Sequence, residues 1–191
     1  MARSLVVIGA SAGGLSALES LLNELGKNFS LPIVVTKHLA SGDEEGLHKV
    51  LSKTSPMEVS IACDKQPMER NHVYLAPGGY HLQIEDKDTL SLSVDEQVCH
   101  SRPSVDVLFQ SAADVFGKKL LGVVLTGANR DGAEGIKAIK QAGGVTVVQN
   151  PETSEVPIMP KSAISTGCVD YILDLNDIAI CLKDLEFKLE K

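Results

Sequence analysis

The chain has 191 residues, of which 43% are hydrophobic, and carries a formal net charge of −7. This length and hydrophobic content can bury one substantial core, so we expect a single domain across residues 1–191. The negative charge argues against a nucleic-acid partner or an anionic membrane surface, and no apolar run approaches the roughly 20 residues of a membrane span.

The first predicted strand is Leu5–Ile8, an apolar run that is too short for a helix and is typical of a buried parallel strand. It starts so close to Met1 that no signal peptide fits before it, so we expect a cytoplasmic protein. No C-x-x-C pair occurs, and we expect reduced thiols and no metal or cofactor. The four cysteines are Cys63, Cys99, Cys168 and Cys181.

A G-x-S-x-G turn follows this strand, formed by Gly9, Ser11 and Gly13, and leads into a leucine-rich helix ending at Leu25. This spacing is typical of a nucleophilic serine held out on a sharp corner. Two alternatives remain at this point. Ser11 could simply cap the helix, or the turn could bind a dinucleotide phosphate. The second alternative is weakened because Ser11 interrupts G-x-G-x-x-G and because the next strand ends in His38 rather than an acid.

The second predicted strand is Leu31–Thr36, and Leu47 and Leu51 mark an amphipathic helix after it. Alternation of strands and helices predicts an α/β fold with a doubly wound, mostly parallel sheet and helices on both faces. Ligands of such sheets bind beyond the carboxyl ends of the strands. Ser11 and His38 both follow such ends.

Short alternating strands dominate the middle of the chain. We expect them to form an antiparallel β-ribbon at one edge of the main sheet, because turn residues separate them. These strands are Val59–Ile61, His72–Ala76, Tyr80–Ile84 and Leu90–Val94.

The remaining sequence returns to the alternating pattern. A helix is predicted to begin around Ser101–Ser104, with Pro103 in its first turn, and to bury a stripe from Val105 to Phe116. A strand over Leu120–Leu125 then leads into the loop Thr126–Gly132. The later predicted elements are a helix over Ala133–Ala142, a strand over Val145–Gln149, a short helix near Ala163, a strand over Val169–Leu173 and a charged C-terminal helix.

A serine nucleophile needs a base and a group that orients the base. All of the histidines precede Asp131, which excludes the Ser, Asp, His order if Asp131 is the acid. The simplest set is therefore Ser11, His38 and Asp131, although Asp131 could instead cap the following helix. His48, His72 and His81 are expected in surface or edge positions, and His100 is a reserve candidate.

Several ordered motifs resemble the catalytic domain of CheB-type chemotaxis receptor methylesterases across nearly the whole chain. They are I-G-A-S-A-G-G (Ile8–Gly14), T-K-H-L (Thr36–Leu39), V-Y-L-A-P-G-G-Y-H-L (Val73–Leu82), S-R-P-S-V-D-V-L-F (Ser101–Phe109), L-T-G-A-N-R-D-G-A (Leu125–Ala133), and Q-N-P-E-T with M-P-K-S-A (Gln149–Ala163). The resemblance implies hydrolysis of glutamyl methyl esters on receptor helices with release of methanol, and deamidation of receptor glutamines.

By position, the resemblance implies that Ser11 is the nucleophile, His38 the general base and Asp131 the orienting acid. Backbone N–H groups of Ala12 and Ala128 are assigned to the oxyanion hole. The implied partners are methyl-accepting chemotaxis receptor helices and a separate regulatory protein, with no nucleic acid and no membrane insertion.

The sequence also departs from the family pattern. Ala12 stands where the family often has threonine, and Ala128-Asn129 replaces Met-Gly. No N-terminal receiver domain is expected, because the first strand begins almost at Met1. Arg102 is a candidate for contacts with acidic receptor residues, or else a solvated arginine. Three functional alternatives stay open: a catalytically silent binding module, a nucleotide-binding α/β protein, and a hydrolase of another ester or amide.

Overall fold

Parallel strands form the centre of the computed structural model, which describes residues 4–39 and 42–189. The strands are β1 (Leu5–Ala10), β2 (Ile33–Lys37), β3 (Glu58–Ile61), β4 (His72–Leu75), β5 (His81–Ile84), β6 (Leu90–Ser93), β7 (Leu120–Val124), β8 (Val145–Gln149) and β9 (Tyr171–Leu173). Seven of these described strands build one sheet in the order β3-β4-β2-β1-β7-β8-β9, with every neighbouring pair parallel. The predicted parallel sheet is confirmed.

Helices cover both faces of this sheet. They are α1 (Gly14–Leu25), α2 (Glu44–Thr54), α3 (Val105–Phe116), α4 (Ala133–Gln141), α5 (Ile158–Ile164) and α6 (Leu175–Leu189). One apolar layer joins the sheet to α1, α2 and α6, and the other joins it to α3, α4 and α5. Strand β1 is buried along its whole length and contributes alternate residues to the two layers, as its unbroken apolar run requires.

The antiparallel ribbon is smaller than the sequence predicted. Strands β5 and β6 pair antiparallel as a separate two-stranded sheet, and that part of the prediction is confirmed. The other two predicted ribbon strands, β3 and β4, instead pair in parallel as part of the main sheet, so their assignment was wrong. Four-residue strands carry too little pattern to reveal whether their neighbours run parallel or antiparallel.

The start of α3 also differs from the prediction. Ser104 is the N-cap, and its hydroxyl oxygen accepts a hydrogen bond from the N–H of Val107. Pro103 therefore precedes the helix and does not lie in its first turn. The helix begins later than predicted because serine offers a capping oxygen and proline does not.

Parallel pairing brings the carboxyl ends of the central strands to one edge of the sheet. Ser11 follows β1, His38 follows β2, and the loop containing Asp131 follows β7, so the segments after three adjacent strands meet there. None of the helices in the described ranges is long and apolar enough to span a bilayer.

Candidate active site

The turn after β1 presents Ser11 at the edge of the sheet. Helix α1 starts at Gly14, and its N-cap is Gly13, whose φ of 74° suits a residue without a side chain. Ser11 is not the cap, so the helix-capping alternative for its hydroxyl is wrong. The Ser11 hydroxyl makes no hydrogen bond to any of the described residues. It remains available for chemistry.

Strand register places Ser11 beside His38. Ala10 and Lys37 are partners in the parallel ladder, and the N–H of His38 donates to the carbonyl of Ala10 at 3.1 Å. Ser11 and His38 therefore each follow directly after one residue of this pair, on neighbouring strands whose backbones lie roughly 4.8 Å apart. On its other side, the N–H of Ser11 donates to the carbonyl of Thr126 at 3.0 Å, which ties the turn to the loop after β7.

His38 contacts Asp131 directly. Nε2 of His38 lies 2.7 Å from Oδ2 of Asp131, and the carboxylate side chain is fully buried while the imidazole is 11% exposed. Burial by itself would raise the pKa of Asp131. Hydrogen bonds from His38, Asp106 and Val105 outweigh burial, and the pKa of Asp131 falls below its usual range. An ionised carboxylate only accepts hydrogen bonds, so Nε2 of His38 carries the proton and Nδ1 is left as an acceptor.

Asp131 is held by the N-terminus of α3. Oδ1 accepts from the Ser104 hydroxyl at 2.9 Å and from the N–H of Asp106 at 3.0 Å, while Oδ2 accepts from the N–H of Val105 at 2.7 Å. A helix N-terminus favours negative charge because its first N–H groups lack partners within the helix. Asp131 therefore caps a helix, but that helix is α3. The sequence alternative supposed that Asp131 caps the following helix, α4.

Asp106, in the first turn of α3, in turn caps the N-terminus of α4 with its carboxylate. Its Oδ1 accepts from the N–H of Gly132 at 2.9 Å and from the N–H of Gly135 at 2.7 Å, where α4 begins without a side-chain cap of its own. Burial, opposed by these bonds and assisted by the negative charge of Asp131, raises the pKa of Asp106 to about 6. The two buried carboxyl groups thus fix the two helix N-termini relative to each other.

Asp106→Asn is expected to change how stability depends on pH. Folded Asp106 keeps its proton up to pH of about 6, whereas an unfolded aspartate loses it near 3.9. Between these values the folded state binds more protons, so this group lowers the free energy of unfolding as pH rises, by up to about 1.4 kcal/mol per pH unit. Asparagine cannot ionise and still offers Oδ1 to both glycine N–H groups.

Urea unfolding of the wild type and Asp106→Asn from pH 4.5 to 7.5 measures this effect. We expect the variant to gain on the order of 2 kcal/mol relative to the wild type across that range. Asp131 changes the free energy of unfolding with pH in the opposite direction, because its lowered pKa gives stability that is lost only at acid pH. This contribution is present in both proteins and does not affect their difference. Parallel curves for the two proteins would show that Asp106 does not hold a proton in the folded state.

His81 also belongs to this network, contrary to its predicted surface or edge position. It is buried, its Nδ1 accepts from the N–H of Ser104 at 3.2 Å, and its Nε2 lies 3.0 Å from the carbonyl of Glu96. His81 thus positions Ser104, which in turn binds Asp131. Nothing in the alternating pattern of β5 distinguishes this inward histidine from a polar edge residue.

The loop after β7 approaches Ser11 closely. A side chain on Gly127 would place its Cβ 2.9 Å from the Cβ of Ser11 and 2.0 Å from the sulfur of Met159, so only glycine fits. Among the described residues, the N–H groups of Ala12 and Ala128 donate to no partner. These two free donors flank Ser11 and Gly127 in the chain. Their assignment to an oxyanion hole stays a prediction.

Arg102 is occupied by the protein itself. One guanidinium nitrogen, Nη1, donates to the carbonyls of Val94 and Asp95 at 2.7 and 2.8 Å and so holds the segment after β6. This bracing is a third role that the sequence did not suggest. The substrate-binding role of Arg102 stays a prediction.

One group of possible metal ligands occurs within residues 4–39 and 42–189. Single ligand atoms of Cys99, Asp106 and Asp131 lie within 4.8 Å of one another. Both oxygens of Asp131 and Oδ1 of Asp106 already accept hydrogen bonds from backbone N–H groups, and those of Asp131 also accept from His38 and Ser104. These bonds explain the cluster without an ion.

Comparison with known proteins gives consistent matches. Residues 6–182 match the family model described as CheB methylesterase. A protein of Leptospira interrogans (strain Fiocruz L1-130) is 45% identical over 174 residues, which is 91% of this chain and 90% of the relative. A Carboxydothermus hydrogenoformans protein named protein-glutamate methylesterase/protein-glutamine glutaminase 1 is 42% identical over 182 residues, which is 93% of this chain and 54% of the relative.

A solved structure is similar over almost the whole fold. The crystal structure of the Thermotoga maritima CheB methylesterase catalytic domain superposes with a TM-score of 0.93 at 34% identity. The match covers 97% of this chain and 100% of that structure. The parallel sheet with helices on both faces described above is therefore the fold of that domain.

Proposed function

Because this chain belongs to the CheB methylesterase family, we propose that it is a serine hydrolase that cleaves glutamyl methyl esters on chemotaxis receptors and releases methanol. The printed name of the Carboxydothermus relative includes protein-glutamine glutaminase, so the proposal extends to deamidation of receptor glutamines. The partner is the methylated helix of a chemotaxis receptor. The place of action is the cytoplasm, where such receptor helices signal.

One observation carries the proposal: the His38 imidazole bonds a buried carboxylate at 2.7 Å and follows β2 directly beside Ser11. A hydroxyl, an imidazole and a carboxylate in this order can transfer a proton away from the hydroxyl. The ionised Asp131 favours the imidazolium that forms when His38 accepts that proton. The free hydroxyl of Ser11 supplies the nucleophile.

The reaction follows from this order. Nδ1 of His38 takes the proton as the Ser11 oxygen bonds to the ester carbonyl carbon, and the carbonyl oxygen becomes an oxyanion. His38 then returns the proton to the methoxy oxygen, and methanol leaves as the carbon–oxygen bond breaks. Water, deprotonated by His38, then attacks the carbonyl carbon of the acyl-enzyme. The bond from that carbon to the Ser11 oxygen breaks, His38 returns the proton to the Ser11 oxygen, and the receptor glutamate is released. A glutamine substrate follows the same steps with ammonia as the leaving group.

The N–H groups of Ala12 and Ala128 are the proposed donors to the oxyanion. Each such donor typically supplies about 3–4 kcal/mol of transition-state stabilisation. Because they are backbone groups, the alanines at both positions serve as well as the residues common in the family. General base catalysis by His38 contributes about 10²–10⁴-fold.

Methanol release from a receptor fragment carrying glutamyl methyl esters tests the proposal. We expect the wild-type protein to release methanol, and to convert a glutamine at the same position to glutamate with release of ammonia. A receptor fragment without methyl groups is the matched substrate control for methanol. If the protein reacts with a fluorophosphonate at Ser11 but releases neither methanol nor ammonia, the substrate class is wrong.

A further inference from the structure

We propose that Asn129 is a positioning residue that holds His38 in a resting state. Its side-chain amide occupies the imidazole nitrogen that must accept the proton of Ser11. This inference rests on the proposed function for the role of His38 as a base. It adds a step to that function: Asn129 has to leave His38 before Ser11 can react.

The geometry of the amide is fixed at both ends. Nδ2 of Asn129 lies 3.0 Å from Nδ1 of His38, and Oδ1 of Asn129 accepts from the N–H of Asp131 at 3.1 Å. A backbone N–H can only donate, so the atom facing it is the amide oxygen and the atom facing His38 is the amide nitrogen. Asn129 therefore donates to His38.

His38 has one acceptor position and two candidate donors. Nε2 gives its proton to Asp131, so Nδ1 carries the single lone pair of the neutral ring. In the structure the amide of Asn129 occupies that lone pair. Ser11 follows the neighbouring strand at the position matching His38, and its hydroxyl has no hydrogen bond to any described residue. The two donors cannot share one lone pair in the plane of the ring. Ser11 is not activated while Asn129 stays bound.

Asn129 is placed where it can move. It is half-buried in an irregular loop between Ala128 and Arg130, both of which are exposed. Rotation of its side chain is enough to free Nδ1, and rotamer changes near a protein surface are fast. Asp131 alone already fixes the tautomer of His38, so loss of the Asn129 bond does not remove the base. The expected consequence of the bond is a lower population of the reactive arrangement.

Labelling of Ser11 by a fluorophosphonate measures that population, because the serine oxygen bonds to phosphorus only as His38 takes its proton and fluoride leaves. For Asn129→Ala we expect the rate constant of labelling to rise about fivefold, the effect of losing one competing hydrogen bond. For Asn129→Asp we expect a fall of about tenfold or more. The new carboxylate keeps the acceptor for Asp131 but favours a proton on Nδ1 of His38, which then has no lone pair for Ser11.

Opposite signs for these two variants separate the proposal from a structural role. If Asn129 only supported the loop through its bond to the N–H of Asp131, Asn129→Ala would label more slowly and Asn129→Asp, which keeps that acceptor, would label like the wild type. Slower labelling of Asn129→Ala would therefore overturn the proposal. An unchanged rate for Asn129→Ala would overturn it too. Asn150→Ala is the matched control, since Asn150 is also half-buried and caps a short turn after β8 without touching His38. Its labelling rate is expected to equal that of the wild type.

Nitrogen NMR of 15N-labelled histidine gives an independent readout. In the wild type and in Asn129→Ala, Nε2 of His38 is expected to carry the proton and Nδ1 to be bare. In Asn129→Asp, Nδ1 is expected to be protonated. Faster labelling in Asn129→Ala without methanol release by either protein would reject the substrate and keep the role of Asn129. Methanol release without faster labelling of Asn129→Ala would keep the substrate and reject the role of Asn129.

Discussion

Ser11→Ala is expected to abolish methanol release, with a fall in kcat on the order of 10⁴–10⁶-fold. The proposed reaction has no other nucleophile, and loss of the serine from a comparable triad costs on this scale because the triad acts as a unit. The fold is expected to survive. The Ser11 hydroxyl bonds to no described residue, and the turn is held by its backbone, so the free energy of unfolding should change by less than about 0.5 kcal/mol.

The measurement is methanol release together with urea unfolding of the same preparations. Ser52→Ala is the matched control, because Ser52 is exposed on α2 and, within the described ranges, its hydroxyl bonds only to a carbonyl of its own helix. We expect this control to keep wild-type activity. Substantial methanol release by folded Ser11→Ala would mean that another group attacks the ester, and the assignment of the nucleophile would have to be withdrawn.

The central part of the fold could be predicted from sequence because its signals are local and strong. The fully apolar runs of β1 and β7 indicate buried parallel strands, and the following glycines and leucines indicate where the chain turns and the next helix begins. The positions of Ser11 and His38 at this edge could be predicted for the same reason, since each directly follows a recognisable strand. The carboxyl ends of adjacent parallel strands lie together by geometry.

The rest of the site could not be predicted because it depends on contacts between distant segments. Asp106 looks like an ordinary acidic residue in the first turn of α3, and only the folded structure shows that it caps α4. His81 lies in a short alternating strand whose pattern does not reveal its burial. The loop sequence after β7 predicted a role for Asp131 but gave no sign that Asn129 donates to His38.

The strands β3 and β4 show the same limit at the level of topology. Their residues fit either a hairpin or a parallel pair, and the connection between them contains no helix that would signal a crossover. Pairing with β2 decides the matter, because β4 inserts between β2 and β3 in the sheet. Burial of Val73 and Leu75 in the core then stabilises the parallel arrangement.

Asp131→Asn is expected to lower kcat by about 10⁴-fold, the cost of the equivalent change in a serine protease triad. Each oxygen of Asp131 accepts two hydrogen bonds, so the amide nitrogen of the variant faces hydrogen-bond donors in either orientation of the side chain. If it faces His38, the ring has to bind through a bare Nε2 and carry its proton on Nδ1. His38 can then no longer accept the proton of Ser11.

The same substitution is expected to destabilise the fold, which separates Asp131 from a purely catalytic residue. At least one N–H or O–H group at the start of α3 loses its acceptor in a buried site, at a cost of about 1–3 kcal/mol. Urea unfolding gives that cost, and nitrogen NMR gives the proton position on His38. Asp106→Asn is the matched control, since Asp106 is equally buried and also caps a helix but has no hydrogen bond to His38. It is expected to keep kcat within about tenfold of the wild type, because the tautomer of His38 is unchanged. Equal losses of activity in the two variants would show that the helix ends, and not the His38–Asp131 bond, control the rate.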